Sequence, residues 1–378
     1  MQRFITILLL LLSFFISSKT FAQLPLSEQA KITLLTCDPG EELYSVFGHT
    51  AIRIADTNTG MDVVYNFGSF DFSTPNFYLK FIKGDLQYFV SISSYNDFIA
   101  EYIYLERAVY EQELLLSTAQ KQRIFSELNS ILLSDRRFYT YKFIDRNCTT
   151  MVADIIAANI EGEISMETPD KGKTNREILY GYLDNHFYEK LGINLIFGYK
   201  TDKTADKLFL PLELKEGIEN TSINGKPLAK PAVTIVESNG KIQESSVWNS
   251  FYSFAFVMII LMLFVKNKTV RLTYMIITGL LGIFFLTVGF YSFHNEITQN
   301  YNTLLINPLF LLLAFFSIAN KAKAIQITAY ACMALLLIYI IYMLNKPHIF
   351  IMIPIILLNG IVLLHVILKA KKQLLKTT

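Results

Sequence analysis

The uneven distribution of charge constrains the fold of this 378-residue chain more than any other feature. Residues 249–368 carry only seven charged side chains, whereas residues 24–248 carry 22 basic and 31 acidic ones. A stretch of that length with so little charge is typical of a membrane domain, and the remainder has the charge density of a soluble domain. The polar part has a net charge of −9, which disfavours nucleic acid as a partner.

The first 22 residues have the pattern of a secretory signal peptide. Arg3 precedes an apolar run at residues 4–16, and Thr20 and Ala22 supply small residues at the two positions that a signal peptidase reads. We expect cleavage after Ala22. The alternative is an uncleaved N-terminal anchor, because the apolar run is long when its flanks are counted. In either case the polar domain is exported.

The C-terminal part divides into five apolar stretches that could each cross about 30 Å of hydrocarbon, which takes about 20 residues. They are residues 250–265, 272–291, 303–319, 325–344 and 349–368. The sequence therefore predicts a domain of five transmembrane helices within residues 249–368.

Basic residues in the short connections predict the orientation of these spans. Nine lysines and arginines lie on one side, and Lys346 alone lies on the other. Because basic loops favour the cytoplasmic side, the tail at residues 369–378 is expected in the cytoplasm and the polar domain in the periplasm. This predicts a multi-pass protein of the inner, or cytoplasmic, membrane.

The exported domain, residues 24–214, has a mixed α and β pattern. Short strands are predicted at residues 32–36, 49–55, 63–67 and 138–144. The last of these leads directly into Asn147, Cys148 and an apolar helix. Residues 215–248 are expected to form a small hairpin and a linker to the membrane.

Two of the three cysteines lie in the exported domain, since Cys332 falls within the fourth predicted span. Cys37 and Cys148 could form a structural disulfide, as is common in exported proteins. The alternative is that Cys148 is a nucleophile. Its position where a strand meets a helix favours the nucleophile, because a helix N-terminus lowers the pKa of a thiol.

A nucleophilic cysteine needs a base, and His49 is the best candidate. It follows Gly48 at the start of a predicted strand, whereas His186 lies in a polar segment and is expected to be solvated. A dyad would have His49 accept the thiol proton while Cys148 attacks a carbonyl. The backbone N–H of Cys148 would help to hold the oxyanion.

The third catalytic position has three candidates on or after the neighbouring strand. Asn66 could orient the ring of His49 as a polar partner, and Asp71 could do so with a charge. Tyr65 would take this place if the strand had the opposite register. Of the three candidates, Asn66 is favoured. Two structural roles stay open: Asn66 could cap a turn, and Asp71 could pair with Arg53.

Three motifs carry a family resemblance. They are residues 42–53 (ELYSVFGHTAIR), 65–72 (YNFGSFDF) and 147–150 (NCTT). A histidine before the cysteine resembles the circularly permuted papain-like enzymes, which include NlpC/P60 relatives and the lecithin:retinol acyltransferase family. More closely, residues 30–200 resemble the exported domain of Lnb-type lipoprotein N-acyltransferases. Arg146 stands where that family has an acidic residue.

The resemblance implies an α+β, papain-like domain and a two-step acyl transfer. Cys148 would take a fatty acyl chain from a membrane phospholipid, and the α-amino group of a diacylglyceryl-modified lipoprotein cysteine would accept it. No cofactor or metal is expected, because the sequence has no phosphate-binding loop and no metal-ligand spacing. Alternatives are a phospholipase-like hydrolase, an NlpC/P60-like cell-wall peptidase and a non-catalytic membrane receptor or scaffold.

Two further groups of residues have open roles. The outer loop from His294 to Asn302 is either an ordinary solvated loop, which is favoured, or the lining of an acyl-donor opening. An aromatic set is either core, which is favoured, or a lipid-facing surface. This set is Tyr78, Phe81, Tyr88, Phe89, Phe98, Tyr102 and Tyr104.

Overall fold

The computed structural model describes residues 25–238 and 246–375. The predicted signal peptide lies outside the described residues. The N-terminal domain combines helices with a sheet, and residues 251–374 form a helical region. The predicted mixture of α and β structure is confirmed, and the papain-like arrangement stays a prediction.

The main sheet of the N-terminal domain has seven antiparallel strands in the order β6-β4-β3-β2-β1-β5-β9, and β7 and β8 form a separate hairpin. The strands are β1 (Lys31–Cys37), β2 (His49–Asp56), β3 (Met61–Ser69), β4 (Gln87–Ser94), β5 (Val109–Glu113), β6 (Phe138–Thr140), β7 (Ser222–Ile223), β8 (Lys226–Pro227) and β9 (Val233–Val236). The hairpin turns at Asn224 and Gly225, both with positive φ, as a two-residue type I′ turn requires.

Seven helices of the N-terminal domain are α1 (Phe77–Lys83), α2 (Tyr95–Tyr104), α3 (Thr118–Leu132), α4 (Cys148–Ala157), α5 (Asn175–Gly181), α6 (Phe187–Ile196) and α7 (Pro211–Glu219). The helical region contributes α8 (Phe251–Leu263), α9 (Lys268–Tyr291), α10 (Leu309–Ile318), α11 (Ala322–Met343) and α12 (Ile349–Leu374).

The central strands are apolar on both faces because helices cover both. Ile52 and Phe67 face a core that includes residues of α3 and α4, such as Val152. On the other face Leu35 and Cys37 pack with aromatic side chains of α2. This double cover holds β1, β2 and β3 rigidly between helices, and the ends of β2 and β3 point towards the start of α4.

The helical region contains four segments that are long and apolar enough to cross a membrane among the described residues. They are Lys268–Tyr291, Tyr301–Ile318, Ala322–Met343 and Ile349–Leu374. The predicted count of five is not confirmed. The first predicted span corresponds to α8, whose 13 residues extend only about 20 Å at 1.5 Å per residue, short of the ~30 Å of hydrocarbon.

Apolar contacts join the N-terminal domain to the helical region. Phe187 and Leu191 of α6 belong to the same buried cluster as residues of α8, α10, α11 and α12. The ring of Phe187 lies 5.7 Å from that of Phe254, measured between centroids. Because α6 contributes to the core of the helical region, the two parts of the molecule are packed together and not merely tethered.

The loop between α9 and α10 adds polar contacts to this junction. Glu296 is 1% exposed and accepts a hydrogen bond from the backbone N–H of Ile144 at 3.1 Å. Asn295 Nδ2 donates to Asp145 Oδ2 at 3.2 Å. The loop at His294–Asn302 therefore packs largely against the N-terminal domain. The sequence favoured a solvated loop here, and that prediction is wrong for these residues.

A buried ionic cluster lies at the same junction. Arg176 Nε and Lys346 Nζ donate to opposite oxygens of Asp202, each at 2.6 Å, and Arg176 is 1% exposed. Lys346 lies between α11 and α12, so this carboxylate links the two parts of the molecule. Burial disfavours the charged form of Asp202, but the two cations outweigh it and its pKa is lowered.

Replacing Asp202 with Asn should lower the unfolding temperature of the full-length protein in detergent, because Arg176 and Lys346 would lose their buried counter-charge. Such a break typically costs about 3–5 kcal/mol. Asp184→Asn is the matched control, since it removes an exposed pair with Lys190 that is worth at most about 1 kcal/mol. Equal unfolding temperatures for the two variants would contradict this account of the junction.

Candidate active site

The position of His49 is set by the backbone before it. His49 is the first residue of β2 and pairs with Cys37 at the end of β1. Gly48 has φ 82°, and a Cβ at this position would lie 2.5 Å from the carbonyl oxygen of Cys37. Because only glycine fits this close approach, the turn into β2 holds the imidazole at a fixed place on the sheet.

The position of Cys148 is set by a capping box. Asn147 Oδ1 accepts a hydrogen bond from the backbone N–H of Thr150, and Thr150 Oγ1 accepts one from the N–H of Asn147, both at 2.9 Å. These bonds satisfy N–H groups that the first turn leaves free, so the helix begins at the thiol-bearing residue. The sequence prediction of Cys148 at a helix start is confirmed.

The structure places the side chains of Cys148 and His49 close enough for each to shift the pKa of the other. The start of β2 also holds the first turn of α4 directly, because Thr50 Oγ1 lies 3.1 Å from Thr149 Oγ1. The backbone N–H of Thr50 also lowers the pKa of Cys148. Base and thiol are thus positioned by adjacent residues on both elements.

Opposing effects determine the pKa of Cys148. Burial disfavours the thiolate, but the hydrogen bond and charge of the His49 ring outweigh it, so the pKa lies below its ordinary value. Burial likewise disfavours protonated His49, yet contact with the sulfur, aided by Asn66, raises the pKa of the imidazole. Each group stabilises the charged form of the other, as in a thiolate–imidazolium pair.

Asn66 lies beside the ring of His49. Ala51 pairs with Asn66 across β2 and β3, and His49 is two residues before Ala51, so both side chains lie on one face of the sheet. Asn66 Oδ1 is 3.2 Å from His49 Nε2, and Asn66 Nδ2 donates to Ser93 Oγ at 3.3 Å. The amide can therefore hold the ring in one orientation.

The other two candidates for this position do not reach the ring. Tyr65 points to the opposite face of β3, where its hydroxyl donates to Asn129 Oδ1 at 3.0 Å in the core. Asp71 is exposed and accepts hydrogen bonds from the backbone N–H and hydroxyl of Ser73. Arg53 pairs with Asp62 and not with Asp71.

Cys37 and Cys148 are both free, so the disulfide considered from the sequence is absent from the structure. Cys37 is fully buried on the face of the sheet that α2 covers. Burial raises the pKa of its thiol to about 12. Cys37 is therefore an inert structural residue, and Cys148 is the candidate reactive group of the site.

A cavity of about 780 Å³ opens beside His49. Its lining includes His49, Asn66, Gly68, Phe70 and His186. His186 was expected to be solvated, but it is only 8% exposed. The reason is that α6, which begins directly after His186, packs against the helical region. A cavity of this size can hold a flexible substrate segment.

Sequence reasoning missed Tyr139, on β6. A Cβ at Gly68 would lie 3.7 Å from Cys148 Cβ and 4.0 Å from the hydroxyl oxygen of Tyr139, so both side chains border Gly68. The Tyr139 hydroxyl is buried and finds no acceptor for its proton among residues 25–238 and 246–375. An aromatic residue in a strand gave no signal of this, because the proximity arises from the pairing of β6 with β4.

Comparison with known families identifies the domain that carries this site. Residues 21–179 match the family described as the Lnb N-terminal periplasmic domain. This part of the chain is similar to Lnb-type periplasmic domains. His49, Asn66 and Cys148 all lie in the matched segment of the Lnb-type domain, and the predicted resemblance is confirmed. No curated protein and no solved structure shows significant similarity to the chain.

The Lnb-type domain and the four apolar helices together indicate a membrane protein with a periplasmic N-terminal domain, related to proteins that modify lipoproteins. No group of three or more His, Cys, Asp or Glu side chains in the described part of the chain could hold a metal ion.

Removing the imidazole should make the thiol less reactive at neutral pH. In His49→Gln the pKa of Cys148 should rise, because the imidazole that stabilises the thiolate is gone, and the pH profile of iodoacetamide alkylation should move to higher pH. Cys148→Ser should show no alkylation in this range, since Cys37 and Cys332 are buried. An unchanged profile in His49→Gln would show that the dyad does not activate the thiol.

Proposed function

We propose that this protein is a membrane-bound N-acyltransferase that moves a fatty acyl chain from phospholipid to the α-amino group of a lipoprotein N-terminal cysteine. The observation that carries the proposal is the contact between His49 and Cys148, with a lowered thiol pKa, inside an Lnb-type periplasmic domain. A thiolate in such a site is suited to attack an ester carbonyl and to form a thioester.

The first step forms the acyl-enzyme. The Cys148 thiolate attacks the ester carbonyl of the phospholipid, and the resulting oxyanion collapses to a thioester. The lysophospholipid leaves as its alkoxide and takes a proton from the imidazolium of His49, so the ring is neutral after this step. The acyl chain is now bound to Cys148 as a thioester.

The second step transfers the chain to an amine. The α-amino group of the lipoprotein cysteine attacks the thioester carbonyl, and His49 accepts a proton from the nitrogen as the C–N bond forms. The thiolate of Cys148 leaves and the products are an amide and the starting enzyme. Since His49 releases a proton in one step and accepts one in the other, the cycle needs no other acid or base.

Neighbouring groups support both steps. Asn66 holds Nε2 of His49, which leaves Nδ1 as the nitrogen that exchanges a proton with the thiol. The oxyanion would receive hydrogen bonds from the backbone N–H of Cys148, at the positive end of α4, and from the hydroxyl of Tyr139. Tyr139 is suited to this role because its buried proton has no other acceptor in the described structure.

Attachment to the bilayer favours transfer over hydrolysis. Both substrates are lipids or lipid-modified, so a site fixed on a membrane bundle meets them at high effective concentration. Both members of the dyad are partly buried, which also limits the access of water to the thioester. A soluble peptidase would gain nothing from the four long apolar helices or from the packing of α6 against them.

We extend the proposal to topology. The protein would cross the inner membrane several times with its C-terminus in the cytoplasm. The basic residues of the connections support this orientation. So do the contacts of Glu296 with Ile144, because they bring the loop between α9 and α10 against the periplasmic domain. This topology requires α8 to cross to the cytoplasmic side as well, which its 13 residues would do where the bilayer is locally thin.

Expression of the chain in a bacterium that lacks N-terminal lipoprotein acylation should add the mass of one acyl group to lipoprotein N-terminal peptides. Cys148→Ser should abolish this gain, and His49→Ala should lower the rate by about 10²-fold or more, because proton transfer is lost. Asn66→Ala should reduce the rate less, because it only orients the ring. Mass spectrometry of the peptides measures each outcome.

Cys37→Ser is the matched control, since it replaces the other cysteine of the domain and should keep activity. If lipoprotein peptides gain no acyl group when the wild-type protein is expressed, the transferase proposal is contradicted. Release of free fatty acid without lipoprotein modification would indicate a phospholipase-like hydrolase, and release of peptides from purified cell wall would indicate a peptidase. Normal cell function in Cys148→Ser would indicate a receptor or scaffold.

Tyr139→Phe tests the second oxyanion donor. The variant keeps the ring in the core and removes only the hydroxyl, so it should fold normally and lower kcat by about 10²-fold if that group stabilises the oxyanion. Tyr65→Phe is the control, because it removes a core hydroxyl that bonds to Asn129 and is remote from the thiol. Equal effects of the two changes on kcat would rule out a specific role for Tyr139.

A further inference from the structure

Helix α1 carries apolar side chains that are not buried in the domain. None of its seven residues is buried, although five of them are Phe, Tyr, Leu or Ile. Tyr78 is 74% exposed and the adjacent Leu79 is 68% exposed. A contiguous apolar patch on a folded domain generally marks a surface that another apolar phase covers. Of the aromatic set singled out in the sequence, Tyr88, Phe98 and Tyr102 are core, whereas Tyr78 is on this patch.

This helix is fixed to the end of a membrane-crossing segment. Ser292, directly after α9, donates its hydroxyl to the carbonyl of Ile82 at 2.9 Å, and the N–H of Phe293 donates to the carbonyl of Lys83 at 2.7 Å. His294 Nε2 lies 2.8 Å from the carbonyl oxygen of Phe81. The exposed patch is therefore continuous with the outer end of an apolar helix.

The same helix is connected to the active-site cavity by stacked rings. Phe77 of α1 lies 5.0 Å from Phe72 and 5.9 Å from Phe70, between ring centroids. Phe70 and Tyr44 both line the cavity next to His49, and their rings are 6.2 Å apart. We call Tyr44, Phe70, Phe72 and Phe77 the aromatic path.

We propose that α1 lies in the outer boundary of the bilayer and that the aromatic path guides a phospholipid acyl chain from there to Cys148. The second half of this inference rests on the proposed acyltransferase function. The occupant is a membrane phospholipid, since the patch adjoins an apolar helix long enough to cross a membrane on one side and the cavity lined by His49 on the other. Lys80, in the last turn of α1, adds a cation at the level of lipid phosphates.

The position of α1 can be measured without any catalysis. The chain has one tryptophan, Trp248, so a Trp248→Phe background permits a single reporter at Tyr78→Trp. In vesicles of phospholipid brominated on its acyl chains, Tyr78→Trp fluorescence should be quenched at least threefold more than that of Leu133→Trp. Leu133 is 80% exposed and follows α3, outside the segment whose carbonyl groups bond to the residues after α9. Equal quenching at the two positions would overturn the membrane location.

The guiding role is tested with two acyl donors. Tyr78→Ser combined with Leu79→Ser should lower formation of the Cys148 thioester from vesicle phospholipid at least tenfold, yet leave its acylation by soluble p-nitrophenyl acetate unchanged. Leu133→Ser, the control, should change neither. An equal loss with both donors would mean that α1 supports the fold, and no loss with either would mean that lipid reaches the site elsewhere.

These outcomes separate the inference from the proposed function. If the wild-type protein forms no thioester with either donor while Tyr78→Trp is strongly quenched, the acyl-transfer chemistry and the guiding role both fail and the membrane contact of α1 stands. If the wild-type protein forms the thioester and the α1 variant does so equally fast from vesicles, only the guiding role fails.

Discussion

The first turn of α4 is the constraint on which the site depends. Asn147 caps this turn and is itself held by donation from its Nδ2 to the carbonyl oxygens of Phe143 and Phe209, at 2.7 and 2.8 Å. Each residue of an α-helix turns about 100°, so a start displaced by one residue would carry the thiol away from β2. The cap therefore determines which side chain meets His49, and the lowered pKa of Cys148 follows from that meeting.

The same turn is tied to the membrane part through the segment before it. Residues 142–146 receive the loop between α9 and α10, and Glu296 accepts from the backbone N–H of Ile144 only three residues before Asn147. Helix α4, which carries the candidate nucleophile, therefore begins close to where the two parts of the molecule meet. For the proposed reaction on lipids this arrangement is an advantage, because the thiol is connected to the helical region by direct contacts and not by a flexible linker.

The sequence carried enough local information to group His49, Asn66 and Cys148. A cap before an apolar helix, a glycine before a strand and alternation along β3 are short-range patterns, and only the choice between Asn66 and Tyr65 needed the strand register. Features set by distant contacts could not be predicted. Glu296 and His186 occupy polar segments, yet both are buried where α6 and the α9–α10 loop meet across the junction.

The aromatic set and α8 are two further cases in which the sequence did not predict the tertiary position of a segment. Phe98 and Tyr78 are both aromatic residues of short helices. Only the tertiary position of their helices decides that Phe98 is in the core and Tyr78 is exposed. The stretch that forms α8 is apolar over 16 residues in sequence, but the helix itself has 13, because its ends are used in turns. Hydropathy counts apolar residues and does not record where the chain turns.

The Asp202 bridge between Arg176 and Lys346 has a mechanical consequence. Since it joins the N-terminal domain to the connection between α11 and α12, the domain must follow any tilt of those helices. Long apolar helices tilt to match the thickness of the surrounding hydrocarbon. With these helices in a bilayer as proposed, the thickness of the hydrocarbon would therefore act, through this one carboxylate, on the height of the sulfur above the lipid headgroups.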